Sequence, residues 1–113
     1  SDKIFYELSW IFINLTSLVD PDFMKEIAWP ELFTFINRLL EFEKTTIIDN
    51  ILHVAINLVG SSELIWVVLN NTRVLDFFKS WFDNANIKVK IARKGAWFIS
   101  NLAKQKQTLF QNE

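Results

Sequence analysis

Three asparagines recur along the chain at nearly constant spacing, and each follows an indole or imidazole side chain by four residues. An asparagine amide both donates and accepts hydrogen bonds, so a row of amides can pair with the N–H and C=O groups of an extended peptide of any sequence. An indole face can hold the aliphatic stem of a lysine or arginine and attract its charge. The spacing therefore predicts a peptide-binding surface formed by Trp10, Asn14, His53, Asn57, Trp97 and Asn101.

The asparagines mark an internal repeat. Asn57 follows Asn14 by 43 residues and Asn101 follows Asn57 by 44, and the residues four positions earlier keep the same offsets. A period of this length is typical of repeats built from two or three helices. The sequence contains only two glycines and two prolines, and its apolar residues recur at three-to-four spacing, so helices are expected throughout.

The residues between the asparagines predict three helices per repeat. A short helix begins at Asp20–Pro21 and runs to about Ala28, because aspartate caps a helix and proline fits its first turn. Pro30 opens a second helix, and a third begins near Thr46 and stops at Gly60. The next repeat follows the same order, with helices that begin at Ser62, Thr72 and Lys88, the last of them running to Ala103.

Three helices per repeat predict an all-α, right-handed solenoid of the armadillo type with about two and a half repeats. Residues 1–17 would form the third helix of a truncated repeat, 18–61 and 62–104 two complete repeats, and 105–113 the start of another. Stable arrays generally need three or more repeats with polar caps, so we expect the chain to belong to a longer array.

Helical geometry, at about 100° per residue, places the predicted binding residues on polar stripes. The neighbours on these stripes are Lys3 and Glu7 beside Trp10, Thr46 and Asn50 beside His53, and Lys90 and Lys94 beside Trp97. The core stripe predicted for the last helix comprises Ala92, Gly95, Ala96, Ile99, Leu102 and Ala103. Aromatic residues at helical spacing also fill gaps between stacked repeats, and that alternative stays open. The polar neighbours favour a ligand surface.

The composition argues against several other functions. There is no cysteine and only one histidine, which removes thiol chemistry and thiolate zinc ligands. No Gly-rich phosphate loop and no nucleophile beside a base is evident, so we predict no enzyme activity and no cofactor. The apolar runs are far shorter than the roughly 20 residues of a membrane span. We therefore expect a soluble, intracellular protein without membrane contact.

Charge is divided unequally along the chain. Residues 1–87 carry six Lys/Arg and twelve Asp/Glu, a net charge of −6, whereas residues 88–113 carry six Lys/Arg and one Glu, a net charge of +5. This division fits either a solvated face at a repeat boundary or a surface that selects its partner by charge. Binding of nucleic acid to the basic segment would leave the asparagine ladder unexplained, so we do not expect it.

Two segments, RKGAWFISNL at 93–102 and HVAINLVG at 53–60, resemble the armadillo domain of importin-α. Third helices of that family carry Trp and Asn at this spacing and line the concave groove that holds nuclear localisation signals. The resemblance implies that Trp10, Asn14, Asn57, Trp97 and Asn101 bind the peptide, with His53 at a position where the family has Trp. The glycine usual in the family between the first and second helices is absent from both repeats.

The resemblance implies an importin-α-like adaptor that binds nuclear localisation signals for protein import, operates in cytoplasm and nucleus, and contacts importin-β through segments outside this chain. Glu7 beside Trp10 and Asp49 near His53 are the acids closest to the predicted groove. Lys90 and Lys94 would repel a basic peptide at the other end. The alternative is a divergent armadillo scaffold that binds an acidic or neutral peptide, with charge supplied by Lys88, Lys90, Arg93, Lys94 and Lys104.

Overall fold

The computed structural model describes residues 2–17, 20, 22–23, 26, 30–42, 44–61, 63–83 and 88–111. Within these ranges lie six α-helices, and the prediction of an all-α fold is confirmed. The helices are α1 (Asp2–Thr16), α2 (Pro30–Leu40), α3 (Thr45–Val59), α4 (Ile65–Asn71), α5 (Val74–Phe82) and α6 (Val89–Gln111).

The helix boundaries agree with the prediction for α2 and α3 and differ for α6. Proline begins α2, as expected for a residue that fits the first helical turn. Gly60 ends α3 in the right-handed helical region, at φ −66°, so this helix end does not require the left-handed conformation that favours glycine. Helix α6 does not stop near Ala103 but continues to Gln111 as one helix.

Only part of the short helix predicted from Asp20–Pro21 to Ala28 lies within the described residues. Asp22, Phe23 and Glu26 are helical, whereas Pro21 and Ala28 lie outside that part of the chain. The carboxylate of Asp20 accepts a hydrogen bond of 3.0 Å from the backbone N–H of Asp22, which is the capping contact that the sequence predicted.

Helix α3 lies at the centre of the structure. Helices α1 and α6 pack alongside it, while α2 and α4 contact it from a second layer that also includes α5. Eleven of the fifteen residues of α3 are buried, whereas α1 and α6 each bury only part of their surface. The three long helices α1, α3 and α6 therefore form a row with α3 in the middle.

One asparagine holds the second layer together, and aromatic pairs connect this layer to the long helices. Asn37 of α2 donates to the carbonyl of Asn71 at 3.0 Å and accepts from the backbone N–H of Arg73 at 2.7 Å, so its amide joins α2 to the turn between α4 and α5. Arg73 also forms an ion pair with Glu41. The ring pairs between layers, with centroids 5.1 to 5.3 Å apart, are Phe5–Phe42, Phe12–Phe35 and Phe78–Phe98.

The buried stripe of α6 differs from the predicted one. Ile91, Gly95 and Phe98 are buried, and Ala92 and Leu102 are half-buried. Ala96, Ile99 and Ala103, which were expected in the core, are exposed. The reason is that α6 meets α3 along the stripe that contains Ile91 and Phe98. The neighbouring helix, and not the apolar character of α6 alone, decides which face is covered.

Replacement of Leu52 by alanine should lower the free energy of unfolding by about 2–5 kcal/mol, because Leu52 of α3 is fully buried. The matched control is Leu75→Ala, which removes the same atoms from a position that is 48% exposed in α5 and should change stability by less than about 0.5 kcal/mol. Urea unfolding followed by circular dichroism measures both. Equal losses in the two variants would contradict the central position of α3.

Candidate peptide-binding surface

The predicted binding residues lie on the polar stripes of the three long helices, α1, α3 and α6. Glu7, Trp10 and Asn14 of α1 are exposed, and Trp10 keeps 43% of its surface accessible. His53 and Asn57 of α3 are half-buried. On α6, Trp97 is 47% exposed and Asn101 is half-buried. These stripes together form the candidate surface, which we call the groove stripe.

The asparagines of α3 and α6 make equivalent bonds to the preceding helix. Asn57 donates to the carbonyl of Ile13 in α1 at 3.3 Å, and Asn101 donates to the carbonyl of Ile56 in α3 at 3.4 Å. In both cases the acceptor is the residue immediately before the corresponding asparagine of the neighbouring helix. The sequence predicted these amides for a peptide, whereas here part of each amide joins two helices.

Further amide hydrogen bonds join the same pairs of helices, and two of them come from residues outside the predicted set. Gln105 donates to the carbonyl of Gly60 at 2.7 Å, one turn beyond the bond made by Asn101. Asn50 donates to the hydroxyl of Ser9 at 3.0 Å, and Asn57 also reaches the hydroxyl of Thr16 at 3.1 Å. Their helical spacing relative to Asn57 and Asn101 was the available sequence signal, since residues three, four and seven apart share one face.

His53, Lys94 and Trp97 form a compact cluster between α3 and α6. The ammonium of Lys94 lies 2.8 Å from Nδ1 of His53 and 5.5 Å from the centroid of the Trp97 ring. The imidazole and indole rings meet edge to face, with centroids 5.4 Å apart. A lysine ammonium can only donate, so Nδ1 is the acceptor and the proton of the neutral ring is on Nε2. Lys94 therefore occupies a place on Trp97 suited to a cation.

Burial lowers the pKa of His53 below its ordinary value, and the charge of Lys94 lowers it further, while Asp49 acts in the opposite direction. The imidazole is therefore neutral at pH 7. Because its Nδ1 already accepts from Lys94, the remaining polar group of the ring is the Nε2–H donor. His53 consequently offers a ligand a hydrogen-bond donor at the position where the resemblance would place an indole.

Asp49 lies one turn before His53 and is nearly covered. Its side chain is 11% exposed, and Oδ2 lies 3.8 Å from the ammonium of Lys90, a separation that allows attraction without a direct hydrogen bond. Oδ1 is buried and has no hydrogen-bond partner in the described part of the chain. The acid predicted near His53 is thus largely withdrawn from solvent and balanced by Lys90.

The α1 end of the groove stripe is more open. Trp10 meets Tyr6 edge to face, with ring centroids 6.4 Å apart. Within the described residues the amide of Asn14 has no hydrogen-bond partner, and Glu7 is exposed. An acidic side chain and an accessible indole therefore lie together at this end, whereas lysines dominate the α6 end.

The chemistry available on the groove stripe is recognition through hydrogen bonds, ring faces and charge. No group of histidine, cysteine or acidic residues suited to holding a metal ion is found among the described residues. In the same part of the chain, none of the helices combines the length and apolar character needed to cross a bilayer. A cavity of about 270 Å³ lies away from the groove stripe, between α2, α3 and α5, and is lined in part by Phe42, Ile48 and Trp81.

Stability should fall as the pH drops through and below about 6.5, the ordinary pKa of histidine, and His53 should account for part of the loss. Since its pKa is lower in the folded chain, the unfolded chain binds the proton more readily between the two pKa values. The contribution of His53 is thus complete above the unfolded pKa and is lost as the pH falls toward the folded one. Urea midpoints measured across this range test the effect. His53→Gln should show a smaller change, and an unchanged slope would contradict the assignment.

Comparison with known proteins yields no relative. No family model matches the chain, and neither the curated proteins nor the solved structures include a significant match. The resemblance to importin-α therefore stays a prediction from the sequence.

Proposed function

We propose that this chain is an armadillo-type peptide-binding module in which an extended segment of a partner protein lies across α1, α3 and α6. The supporting observation is a hydrogen bond that recurs between neighbouring long helices. The side-chain amide of Asn57 donates to the carbonyl of Ile13, and that of Asn101 donates to the carbonyl of Ile56. Equivalent residues 43 or 44 positions apart thus make equivalent contacts. A translational repeat of this kind is what builds the concave surfaces of helical solenoids.

Polar groups left over on the groove stripe suit a peptide backbone. Asn57 uses its N–H groups on α1 and retains its Oδ1 acceptor, while Asn101 retains an N–H group as well as Oδ1. His53 contributes an Nε2–H donor, and Asn14 has its whole amide available within the described residues. Donors and acceptors that alternate along a row pair with an extended chain whatever its side chains.

Charge favours an acidic or neutral peptide at the α6 end. Lys94 already occupies one face of Trp97, so a lysine or arginine of a ligand could reach that face only by displacing it. Lys90 is exposed beside it, and the nearest acid, Asp49, is buried and balanced. A carboxylate of the ligand would meet attractive charge there, whereas a basic side chain would meet repulsion.

A second candidate is an importin-α-like adaptor for basic nuclear localisation signals, acting in cytoplasm and nucleus together with importin-β bound elsewhere. The observation that favours it is confined to the α1 end, where Trp10, Asn14 and Glu7 are accessible together. An indole beside a carboxylate suits the stem and charge of a lysine. The two candidates differ in the sign of the charge that the peptide carries.

An acidic peptide should bind more tightly than a neutral or basic peptide of equal length, and its affinity should fall with added salt. Titration monitored by tryptophan fluorescence, with the three peptides in parallel, measures this order. The double variant Trp97→Ala/Asn101→Ala should lose the affinity, whereas Trp66→Ala, on the exposed face of α4, should keep it. Because Trp97 is itself a fluorescent reporter, calorimetry measures binding by these variants. Circular dichroism establishes that the double variant is folded. Tighter binding of the basic peptide would instead support the adaptor.

Lys94→Met should shift the preference toward basic peptides. Methionine keeps the packing volume beside Trp97 but removes the ammonium, so the indole face becomes accessible to a cation from the ligand. We expect weaker binding of the acidic peptide and stronger binding of the basic one in the same titration. Lys79→Met, which removes the same charge from an exposed position of α5 outside the groove stripe, serves as the control. Identical effects of the two substitutions would show that net charge alone sets the preference.

A further inference from the structure

In the row of long helices, the outer face of α1 matches one side of the interfaces buried inside the row, and the outer face of α6 matches the other side. On α3, Asn50 and Asn57 contact α1, and residues at this spacing share a stripe with Ile47 and Val54, which are buried. The equivalent residues of α6, 44 positions later, are Ile91, Lys94, Phe98 and Asn101. Lys94 and Asn101 contact α3, and Ile91 and Phe98 are buried. The same stripe therefore makes both internal interfaces.

On α1 the equivalent stripe is left uncovered by the helices of the described part of the chain. Ile4, Glu7, Ile11 and Asn14 stand 43 positions before their counterparts on α3, and all four are exposed. Ile4 is 60% and Ile11 52% exposed, although both Ile47 and Val54 are fully buried. We call these four residues the head stripe.

The opposite edge of the row, on α6, is also uncovered within the described residues. Helix α1 contacts α3 through three buried residues, Ser9, Ile13 and Thr16. The equivalent residues of α3 are Leu52, Ile56 and Val59, and they are buried as well. The α6 equivalents are Ala96, Ser100 and Ala103, which are exposed. We call these three residues the tail stripe. Their small side chains would allow another helix to approach closely.

We propose that the head stripe of one copy of this chain docks on the tail stripe of a second copy, head to tail. In the register of the internal interfaces, Asn14 of one copy donates to the carbonyl of Ser100 in the other. The amide of Asn14 is without a partner within the described residues, as this role requires. Ile4 and Ile11 then lie against the small residues of the tail stripe, in the way that Ile47 and Val54 lie against α1.

Two observations favour a second copy as the occupant. The first is continuity, because one chain carries both halves of an interface that it already forms twice inside itself. The second is charge, since residues 88–113, which include α6, have a net charge of +5 and residues 1–87 a net charge of −6. The basic α6 of one copy therefore meets α1 of the next, whose head stripe has Glu7 as its charged residue. Such a contact is heterologous and open, and copies can add to either end.

Sedimentation of the full chain without peptide, from micromolar to millimolar concentration, tests the proposal. The average mass should rise steadily beyond that of a dimer as concentration increases. Ile11→Arg blocks the head stripe and Ser100→Arg blocks the tail stripe. Each variant alone should remain monomeric, because a head-to-tail contact needs one intact edge of each kind. Both substituted positions are exposed, so folding should be unaffected.

An equimolar mixture of the two blocked variants provides the decisive measurement. Ile11→Arg retains an intact tail and Ser100→Arg an intact head, so the mixture should form a dimer with twice the monomer mass and nothing larger. Leu75→Arg, an exposed leucine on neither stripe, should associate like the unmodified chain. A chain that stays monomeric at all concentrations, a mixture that stays monomeric, or an equal effect of Leu75→Arg would each overturn the proposal.

Discussion

The structure depends on the burial of α3 between α1 and α6. A helix that is covered on nearly every side must be apolar nearly all round, and the isoleucine, leucine and valine residues that fill α3 meet that requirement. Only Thr45, Thr46, His53 and Asn57 escape full burial. The last three lie on one stripe, which is therefore the place where α3 can meet a ligand. The chemistry of the candidate site is confined to the surface that packing leaves free.

Hydrogen bonds from asparagine side chains fix how the three long helices align. Apolar contacts are tolerant of sliding, but Asn57 and Asn101 each donate to one particular carbonyl. A shift by one turn, about 5.4 Å, would leave each amide without that partner at a cost on the order of 1 kcal/mol. The same alignment holds His53 against Trp97 and brings Lys94 to both. The contacts that set the helix register thus also set the geometry of the groove stripe.

The periodicity of the sequence predicted the helices well because helix class and polar stripes follow from local spacing. The spacing correctly predicted that α2 begins at Pro30 and that α3 ends at Gly60. It also predicted that Trp10 and Trp97 are exposed. The buried face of α6 did not, since α6 has apolar residues on two faces and the position of α3 decides between them. The approach of Lys94 to His53 was also inaccessible, because it joins residues 41 positions apart whose distance depends on how two helices pack. The sequence spacing correctly placed Lys94 beside Trp97, but it suggested only that its charge would repel a basic peptide.

Head-to-tail association would extend the proposed peptide surface, and of that surface it would cover only Glu7 and the N–H side of Asn14. Asn57 and Asn101 donate toward the preceding helix and keep Oδ1 for a ligand. Asn14 in the same register would donate to Ser100 of a second copy and keep its own Oδ1 in the same way. Trp97 of the first copy would then stand beside Trp10 of the second as His53 stands beside Trp97 within one chain. A longer row of amides and rings would result, and a peptide long enough to span two copies would bind more tightly than a short one, because its second half binds at high effective concentration.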